Sequence, residues 1–560
     1  TKWSPNYRND NRIETHESGT APCKTACPAH VAVQGYLKLA AQGRYDEALA
    51  LIKRENPLPA ICGRVCNRRC EDACTRGRVD AAVAIDEVKK FIAQRDLDAA
   101  TRYVPPVVTP TRAGGFDQKI AIIGAGPAGL SCAFYLAEKG YKPVVFEKNE
   151  RPGGMLTYGI PSFKLQKDVI EAEVEIIRLM GAEFRYGVEV GRDVTLDELR
   201  EQGFKAFYVA IGCQGGRLAG IPGESAEDVT VAVDFLREVN SGKIDTLSGR
   251  TIVVGGGNVA IDVARNACRL GSEHVEMFCL ESEAQMPASE EERREAVEDG
   301  AHISCGWGPK EIHLDEAGRV CGITFKRCTR VFDDEGRFAP EYDENDLRRV
   351  DADRVVMSIG QSIVWGDLLA GSKVELGRGQ GALADPQTYQ TAEPDIFVGG
   401  DVYTGPSFAI DAIAAGHEAA VSIHRFVQPG STLTIGRNQR RYTALDRDDV
   451  VLESYDNASR EVAHVDRERE KAAPFSEYVE TFTEEQVRAE TARCLGCGAS
   501  IVDPNKCIGC GLCTTKCAFD AIHLDRDRPE CSTMVKYEQK LPSLGKYALK
   551  RAIKIKFGKK

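Results

Sequence analysis

Long apolar runs and excess positive charge are both missing from this 560-residue sequence. No stretch approaches the roughly 18 consecutive apolar residues that a membrane-spanning helix needs. The first residues, Thr1 to Arg12, are mostly polar and do not resemble a secretion signal. The formal net charge of −11 leaves no basic footprint for nucleic acid. We therefore expect a cytoplasmic protein with no membrane span and no nucleic-acid partner.

Evenly scattered cysteines, which would indicate a secreted disulfide framework, are also lacking. The chain has 20 cysteines, and most of them lie toward its two ends. Short, regular spacings in an acidic chain indicate metal ligation in a reducing compartment. The candidate metal ligands are Cys23, Cys27, Cys62, Cys66, Cys70, Cys74, Cys494, Cys497, Cys507, Cys510, Cys513 and Cys517.

A glycine turn follows the first predicted strand, Lys119 to Ile123. The turn contains Gly124, Gly126 and Gly129, and it leads into a predicted helix. Glycines at this spacing make a tight turn, let a pyrophosphate approach the backbone, and let the helix pack closely on the strand. Glu147 closes the next strand, where a carboxylate accepts hydrogen bonds from ribose hydroxyls. This pattern predicts a dinucleotide-binding site.

A second strand, glycine turn and helix begin at Thr251, so the motif is repeated within the chain. The next strand ends at Glu281, whose carboxylate would bind a free 2′-hydroxyl and repel a 2′-phosphate, which favours NAD(H) over NADP(H). Arg265 and the arginines after Glu291 are either solvated helix residues or groups that reach a phosphate. The predicted NAD-binding residues are Gly255, Gly257, Asn258, Val259, Ala260 and Glu281.

No Cys-x-x-Cys pair stands between the two glycine turns, so a thioredoxin-reductase type of disulfide shuttle lacks its reacting group. Seven single cysteines lie in the middle of the chain, and most are flanked by apolar residues. We interpret them as packing residues. They are Cys132, Cys213, Cys268, Cys279, Cys305, Cys321 and Cys328.

The run from Cys507 to Cys517 has the C-x₂-C-x₂-C-x₃-C spacing of bacterial ferredoxins. One loop can place three thiolates around an iron–sulfur cube while a helical turn brings the fourth. Ala518 stands where ferredoxins usually have proline, but the four ligands remain. This spacing predicts a [4Fe–4S] cluster.

Several short motifs resemble the glutamate synthase small-subunit family, which includes the N-terminal half of dihydropyrimidine dehydrogenase. The matching runs are Gly63-Arg64-Val65-Cys66, Gly153-Gly154-Met155-Leu156, Gly159-Ile160-Pro161, Ala210-Ile211-Gly212 and Gly399-Gly400-Asp401. The resemblance covers residues from about 20 to 425. It implies that the first glycine turn binds FAD, with Asp401 holding its ribityl or pyrophosphate portion. The residues expected to bind FAD are Gly124, Gly126, Pro127, Ala128, Gly129, Glu147, Gly154, Met155, Leu156, Ile160, Gly400 and Asp401.

Cys494 and Cys497 stand in a run that resembles the Arg-Cys-Leu-x-Cys-Gly segment found just before the first cluster cysteines of relatives. This chain lacks that segment upstream of Cys23, so we expect the displaced run to fold back to the N-terminal domain. Together with the six N-terminal cysteines it would complete two clusters, which makes three [4Fe–4S] clusters in all. In the competing assignment, Cys494 and Cys497 bind a second C-terminal cluster with Cys531. Relatives offer Glu or Gln near positions 87–90, where this chain has lysines.

We expect an α/β fold with two Rossmann-like dinucleotide-binding domains, an N-terminal helical iron–sulfur domain and a C-terminal ferredoxin-like module. The segments 353–360 and 396–401 are both interpreted as strands of the flavin sheet. The predicted domains are residues 1–115 (helical iron–sulfur domain and linker), 116–235 with 355–428 (FAD), 236–354 (inserted NAD(P) domain), 429–490 (connector), 491–528 (cluster module) and 529–560 (basic tail).

These modules predict an oxidoreductase that moves electrons between NAD(H), FAD, the clusters and a protein partner, since flavin exchanges both hydride and single electrons. N5 of FAD would accept the hydride, and we name no acid or base residue. The resemblance suggests a glutamate synthase large subunit, a ferredoxin, or a hydrogenase or formate dehydrogenase module as partner. Three alternatives stay open: a non-catalytic electron wire, a glutamate synthase small subunit that uses NADPH, and an electron-bifurcating flavoprotein.

Overall fold

The computed structural model describes residues 19–107, 115–448, 455, 457–498, 507–516, 522–524 and 536–557. The described residues divide into two compact units, one of residues 19–498 and one that contains the described residues after 498. Of the predicted cluster ligands, Cys517 lies outside the described residues, as does Cys531 of the competing assignment.

The N-terminal domain consists of short helices around a small apolar core. The expected helical character of this domain is confirmed, and Tyr36, Leu37 and Ala40 are all buried on one side of their helix. Leu49 and Ile52 of the next helix are buried as well. The helices are α1 (Pro22–Thr25), α2 (Val33–Ala41), α3 (Tyr45–Lys53), α4 (Pro59–Val65), α5 (Arg69–Asp72) and α6 (Ile85–Leu97).

The first Rossmann-like domain contains a five-stranded sheet with parallel pairing throughout, in the order β15-β4-β1-β2-β3, where β15 is the later strand Ile396–Val398. The predicted strand from Lys119 to Ile123 is confirmed as β1, and its last four residues are buried. Helices cover this apolar sheet, as expected for parallel strands. The elements up to the next domain are β1 (Lys119–Ile123), α7 (Pro127–Glu138), β2 (Val144–Glu147), α8 (Met155–Tyr158), α9 (Lys167–Leu179), β3 (Glu183–Tyr186), α10 (Leu196–Glu201), β4 (Phe204–Val209) and β5 (Gly215–Gly216).

The second Rossmann-like domain has its own five-stranded parallel sheet, in the order β6-β13-β7-β8-β9. A separate antiparallel sheet, β10-β11-β12, packs beside it, and Phe278 stacks on Phe325 with ring centroids 3.9 Å apart. The elements are β6 (Val229–Val231), α11 (Ala232–Asn240), β7 (Arg250–Val254), α12 (Asn258–Arg269), β8 (His274–Cys279), α13 (Glu290–Glu298), β9 (His302–Cys305), β10 (Trp307–Leu314), β11 (Val320–Phe332), β12 (Phe338–Val350) and β13 (Arg354–Met357).

The interpretation of 353–360 as a strand of the flavin sheet is wrong. Arg354–Met357 pairs with β7 and β6 in the second sheet. Val355, Val356 and Met357 are buried, so they form the short apolar run typical of any central parallel strand. Such a run does not reveal which of two parallel sheets it joins. The other segment is confirmed, because Ile396–Val398 pairs with β4 in the first sheet.

The chain returns to the first domain after Met357 and then runs over the other domains. Helix α15 packs on α7 so closely that a Cβ on Gly416 would lie 2.2 Å from the carbonyl oxygen of Ala128. The remaining elements of this unit are β14 (Gln361–Ser362), β15 (Ile396–Val398), α14 (Asp401–Thr404), α15 (Ala409–Val427), α16 (Arg467–Ala472) and α17 (Glu484–Ala492).

The C-terminal unit contains two described helices, α18 (Leu512–Lys516) and α19 (Tyr537–Phe557). The side chains of α19 are exposed, and they include Leu541, Leu544 and Ile555. Among the described helices, none combines the length and the apolar character needed to cross a bilayer.

Candidate functional site

The first glycine turn lies between β1 and α7, at the carboxyl edge of the first sheet. Gly124 has a φ of +105°, which favours glycine, and a Cβ on Gly129 would lie 1.9 Å from the carbonyl oxygen of Gly124. A Cβ on Gly126 would meet no atom within 4 Å, so this position is open to a ligand. Helix α7 begins at Pro127, and its free amides and dipole favour an anion there. The turn therefore has the shape and the polarity to hold a pyrophosphate.

The carboxylate of Glu147 lies beneath this turn and is only 2% exposed. Its Oε2 accepts a hydrogen bond from the amide of Ala125 at 2.8 Å, and its Oε1 accepts one from the amide of Asn149 at 2.9 Å. A cavity lined by Gly124, Glu147 and Gly212, among other residues, opens beside it. The predicted ribose acceptor thus fixes the turn and also lines the space next to it.

Two further segments meet the open side of the first turn. Gly154 has a φ of +55°, and a Cβ there would lie 3.1 Å from the Cα of Gly126. On the other side, a Cβ on Gly400 would lie 3.0 Å from the Cβ of Ala128. Met155 and Leu156 follow Gly154 in α8, and Ile160 lies just beyond this helix. The structure therefore brings Gly154 and Gly400 against the first glycine turn, next to Gly126 and Ala128.

Asp401 begins α14 directly after Gly400. Its Oδ1 accepts hydrogen bonds from the amide and the hydroxyl of Ser407, both at 3.1 Å. Burial raises the pKa of Asp401, and the hydrogen bonds from Ser407 oppose this change. A carboxylate held in this way, one residue after Gly400, can accept hydrogen bonds from hydroxyl groups of a ligand.

The second glycine turn has the same geometry between β7 and α12. Gly255 has a φ of +143°, and a Cβ there would lie 2.3 Å from the carbonyl oxygen of Ser358. Gly257 precedes the helix, and a Cβ on it would meet no atom within 4 Å. Asn258 begins α12 and accepts a hydrogen bond from the amide of Ser289 at 3.1 Å. The helix continues through Val259 and the buried Ala260. This turn therefore also has the shape and the polarity to hold a pyrophosphate.

Glu281 lies against the middle of this turn, since a Cβ on Gly256 would be 3.0 Å from its Oε2. The backbone of Glu281 is fixed too, because its carbonyl accepts a hydrogen bond from the amide of Gly306 at 2.9 Å. The carboxylate of Glu281 therefore lies against the second glycine turn, two residues after the end of β8.

Arg265 is not a solvated helix residue, and that interpretation is wrong. It is 1% exposed and forms an ion pair with Asp299 at 2.7 Å, and it donates a hydrogen bond to the hydroxyl of Tyr478 at 2.7 Å. Sequence reasoning missed this because Tyr478 comes from the distant connector. Arg293 donates to the carbonyl of Glu283 at 2.7 Å, and Arg294 pairs with Glu298.

Lys164 links the two dinucleotide domains. It lies in the first domain, yet its Nζ is 2.6 Å from Oδ1 of Asp262 in α12, and it also pairs with Glu292 in α13. Burial raises the pKa of Asp262 to about 6, while Lys164 acts in the opposite direction. Lys164 therefore forms an inter-domain ion pair.

Four cysteines from distant parts of the unit of residues 19–498 line one small cavity. Cys23, Cys74, Cys494 and Cys497 all face it. Burial raises the pKa of Cys23, and the nearby thiolates of Cys494, Cys74 and Cys497 raise it further. The segment that carries Cys494 therefore folds back onto the N-terminal domain, as the sequence predicted.

The remaining N-terminal cysteines form a second group around Lys89. Burial lowers the pKa of Lys89, but Asp86 and the thiolates of Cys66 and Cys62 raise it well above its ordinary value. Cys70 also interacts with Lys89, and Cys66 interacts with Cys27. Lys89 is therefore a cation, so it cannot donate a lone pair to iron. It balances negative charge instead.

Within the described residues, no three His, Cys, Asp or Glu side chains converge on a single metal-ion position. In the C-terminal unit, Cys507 and Cys510 are exposed on a short loop, and Cys513 is exposed in α18, which follows this loop.

Arg493 anchors the displaced cysteine run, and sequence reasoning gave it no role. Its side chain and that of Glu490 are both 0% exposed, and they pair at 2.6 Å. It also pairs with Asp80 at 3.0 Å and donates to the carbonyl of Ala81 at 2.7 Å. The position of Arg493, directly before Cys494, was the signal in the sequence that could have indicated this anchoring role.

Replacing Arg493 with methionine should release this run. The buried carboxylate of Glu490 would lose its cation, a change that costs about 3–5 kcal/mol. We expect purified R493M to contain less iron per FAD than the unmodified protein and to be cleaved faster by protease after residue 456. Arg488→Met is the matched control, because Arg488 lies on α17, which ends directly before Arg493, but pairs with the exposed Glu484. Equal iron-to-FAD ratios in both variants would contradict the anchoring role.

The connector joins three domains, which its polar sequence did not reveal. Glu477 pairs with Lys90 of the N-terminal domain at 2.8 Å, and Glu470 pairs with Arg269 of α12 at 2.7 Å. The carbonyl of Phe475 accepts a hydrogen bond from Gln166 of the first dinucleotide domain at 2.9 Å. The connector therefore holds the two dinucleotide domains and the N-terminal cysteine domain together.

Two dinucleotide sites, joined to cysteine-rich domains, define a pyridine nucleotide-dependent flavin oxidoreductase. The family model described as pyridine nucleotide-disulphide oxidoreductase matches residues 118–416, and the chain belongs to this family. A model described as dihydropyrimidine dehydrogenase domain II, 4Fe-4S cluster, matches residues 15–101. A 4Fe-4S binding domain model matches residues 500–523. The chain is an NAD(P)H-dependent flavin iron–sulfur oxidoreductase, so the predicted class and fold class are confirmed.

Relatives extend this similarity over most of the chain. The beta subunit of an NADP(+)-dependent formate dehydrogenase from Moorella thermoacetica is 35% identical over 85% of this chain and 70% of that protein. The small chain of glutamate synthase [NADPH] from Escherichia coli strain K12 is 35% identical over 73% of this chain and 89% of that protein. The beta subunit of an NADPH-Fe(3+) oxidoreductase from Geobacter sulfurreducens is 31% identical over 85% of this chain and 75% of that protein. The expected resemblance to the glutamate synthase small chain is therefore confirmed.

Proposed function

We propose that this chain is the NADH-linked electron-transfer subunit of a larger oxidoreductase. Electrons would pass between NAD(H), FAD, three [4Fe–4S] clusters and a partner protein. The observation that carries the proposal is a direct contact between the two kinds of site. Arg69, next to Cys70, forms a bidentate pair with Asp411 at 2.9 and 3.1 Å. Asp411 lies in the first turn of α15, and its negative charge helps to raise the pKa of Asp401.

The residues around the first glycine turn fit FAD. Gly126 is open, Gly154 and Gly400 approach the turn from two sides, and Glu147 and Asp401 supply carboxylates. Gly126, Pro127, Ala128 and Gly129 would hold the pyrophosphate at the start of α7. When bound, FAD supplies hydride acceptance and single-electron transfer. The protein's part is to orient the flavin, so no acid or base side chain is required.

The two N-terminal cysteine groups fit two four-thiolate clusters. Cys23, Cys74, Cys494 and Cys497 would hold one, which favours the displaced-run assignment over a second C-terminal cluster. The other would be held by Cys27, Cys62, Cys66 and Cys70, with Lys89 as a buried countercharge. Cys507, Cys510, Cys513 and Cys517 have the ferredoxin spacing for the third.

The order in which the clusters would exchange electrons is proposed from the Arg69–Asp411 contact. The Arg69–Asp411 pair supports the group with Cys70 as the first to exchange electrons with the flavin. Cys66 and Cys70 belong to that group, and Cys74 of the neighbouring group follows within the same short segment. The group with Cys494 would then exchange electrons with the group that contains Cys70. The relatives named as subunits support a partner of the catalytic-subunit type.

Glu281 is the basis for proposing NADH. Its carboxylate lies at the ribose side of the second turn, where it favours a 2′-hydroxyl and repels a 2′-phosphate. Arg265, the nearby cation on α12, is buried and occupied by Asp299 and Tyr478. The relatives named above carry NADP or NADPH in their names. Measuring which of the two nucleotides reduces the flavin is therefore the most direct test of the NADH proposal.

The experiment is an anaerobic titration of the reconstituted protein with NADH and, separately, with NADPH. Flavin absorbance reports the first transfer, and the EPR signal of reduced clusters, integrated against iron content, reports the second. We expect NADH to bleach the flavin and then to produce cluster signals. Bleaching by NADPH alone would overturn the nucleotide assignment. Bound FAD that neither nucleotide bleaches would overturn the enzymatic role and favour an electron wire.

A further inference from the structure

Two cysteines face each other at the carboxyl edge of the second sheet. Cys279 is the last residue of β8 and Cys305 is the last residue of β9, and the two are register partners. Their Sγ atoms are 3.7 Å apart. Cys279 is buried, whereas Cys305 is partly exposed. Packing alone accounts for Cys279, but it does not require a second thiol directly opposite.

This pair touches the nucleotide turn. A Cβ on Gly256 would lie 2.8 Å from the Cβ of Cys279 and 3.5 Å from its Sγ, so the cysteine packs on the middle of the turn. The thiol of Cys279 also donates a weak hydrogen bond to the carbonyl of Glu281 at 3.7 Å. Gly306, directly after Cys305, donates its amide to the same carbonyl at 2.9 Å. The position of Glu281 therefore depends on both strand ends.

The geometry permits a covalent bond between the two thiols. Neighbouring strands lie about 4.7–4.9 Å apart, within the roughly 4.4–6.8 Å between Cα atoms that a disulfide spans. The sulfurs must approach from 3.7 Å to about 2.05 Å. Side-chain rotation and a small shift of the strand ends can supply this movement.

We propose that Cys279 and Cys305 are a thiol-oxidation site for low-molecular-weight disulfides, and that the resulting disulfide weakens binding of the pyridine nucleotide. The thiolate of the accessible Cys305 attacks the small disulfide, forms a mixed disulfide and releases one small thiolate. The thiolate of Cys279 then attacks the Cys305 sulfur of the mixed disulfide and releases the second. Two protein thiols are oxidised, one disulfide is reduced to two thiols, and the two protons pass to the released thiols.

Closing this bond should change the second turn. The new bond draws the Cys279 sulfur toward β9, away from its contact with the Glu281 carbonyl. The Glu281 side chain then loses its alignment with the ribose hydroxyls. Loss of one hydrogen bond to a charged group lowers affinity by about tenfold. The inference rests on the proposed placement of the pyridine nucleotide at the second turn.

The test uses the holoprotein, kept anaerobic and equilibrated in buffers of increasing glutathione disulfide to glutathione ratio. Free thiols are blocked with N-ethylmaleimide, and peptide mass spectrometry reports the Cys279–Cys305 linkage. Calorimetric titration with ADP-ribose, which carries the pyrophosphate and both riboses but no nicotinamide, reports the dissociation constant. We expect the linkage to form reversibly and the dissociation constant to rise by about tenfold with it.

Cys305→Ser should abolish both the linkage and the change in affinity. Cys321→Ser is the matched control, because Cys321 is a partly exposed cysteine on a strand of the adjoining antiparallel sheet. It should leave both effects intact. Absence of the linkage in the most oxidising buffer, or a linkage without any change in affinity, would overturn the inference. Failure of the reduced protein to bind ADP-ribose would instead overturn the placement of the nucleotide.

Discussion

Alanine in place of Cys74 should remove the same iron–sulfur cluster as alanine in place of Cys494, although the two lie near opposite ends of the chain. Both face the same cavity, together with Cys23 and Cys497. We expect each variant to lose about four irons of about twelve, and the double variant to lose no more than either alone. Iron and FAD analysis of the purified proteins, with EPR of the dithionite-reduced samples, measures this.

This result separates the two assignments of the displaced run. If Cys494 served a C-terminal cluster instead, Cys494→Ala and Cys74→Ala would remove different clusters, and their iron losses would add. Cys268→Ala is the control, since Cys268 is a partly buried cysteine of α12 outside both groups. Its iron-to-FAD ratio should equal that of the unmodified protein.

Glutamine in place of Glu281 should shift the preference for NADH over NADPH toward NADPH by about tenfold to a hundredfold. The substitution removes the negative charge beside the expected 2′ position while it keeps the size of the side chain. A change of this size corresponds to about 1.4–2.8 kcal/mol. The ratio of kcat/KM values for flavin reduction by the two nucleotides measures the shift. Most of the change should come from improved use of NADPH, because repulsion of the phosphate is relieved.

Glu283→Gln is the matched control for this variant. Glu283 is an exposed carboxylate two residues further along the chain. It does not lie against Gly256, so the nucleotide ratio should stay unchanged. An equal shift in both variants would indicate a general charge effect, and no shift in Glu281→Gln would remove the basis for the NADH assignment.

Local chemistry made several elements predictable. The strand from Lys119 to Ile123 ends in a turn whose glycines serve separate purposes: Gly124 takes a positive φ, Gly126 leaves space and Gly129 allows close packing. These conformational requirements involve only a few neighbouring residues, so the pattern can be recognised from the sequence alone. The same holds for the ferredoxin spacing at Cys507, where one loop carries the ligands.

Sheet membership was less predictable. The apolar strand from Arg354 to Met357 was expected in the flavin sheet, but it lies in the second sheet. Both sheets are parallel and buried, so their central strands have the same composition. The choice depends on the path of the whole chain between them.

By itself, the sequence determined the class of the protein, the two glycine turns, their acidic partners and the cysteine spacings, because each follows from short-range geometry. Tertiary structure alone decided which cysteines face one another, that Arg265 is buried against Tyr478, and that Lys164 and the connector join separate domains. Lys164 and Asp262 are 98 positions apart and Arg265 and Tyr478 are 213 positions apart, so no local propensity encodes such pairings. Buried ion pairs such as Arg493–Glu490 then hold the tertiary contacts in place, because leaving one buried charge without its partner strongly destabilises the fold.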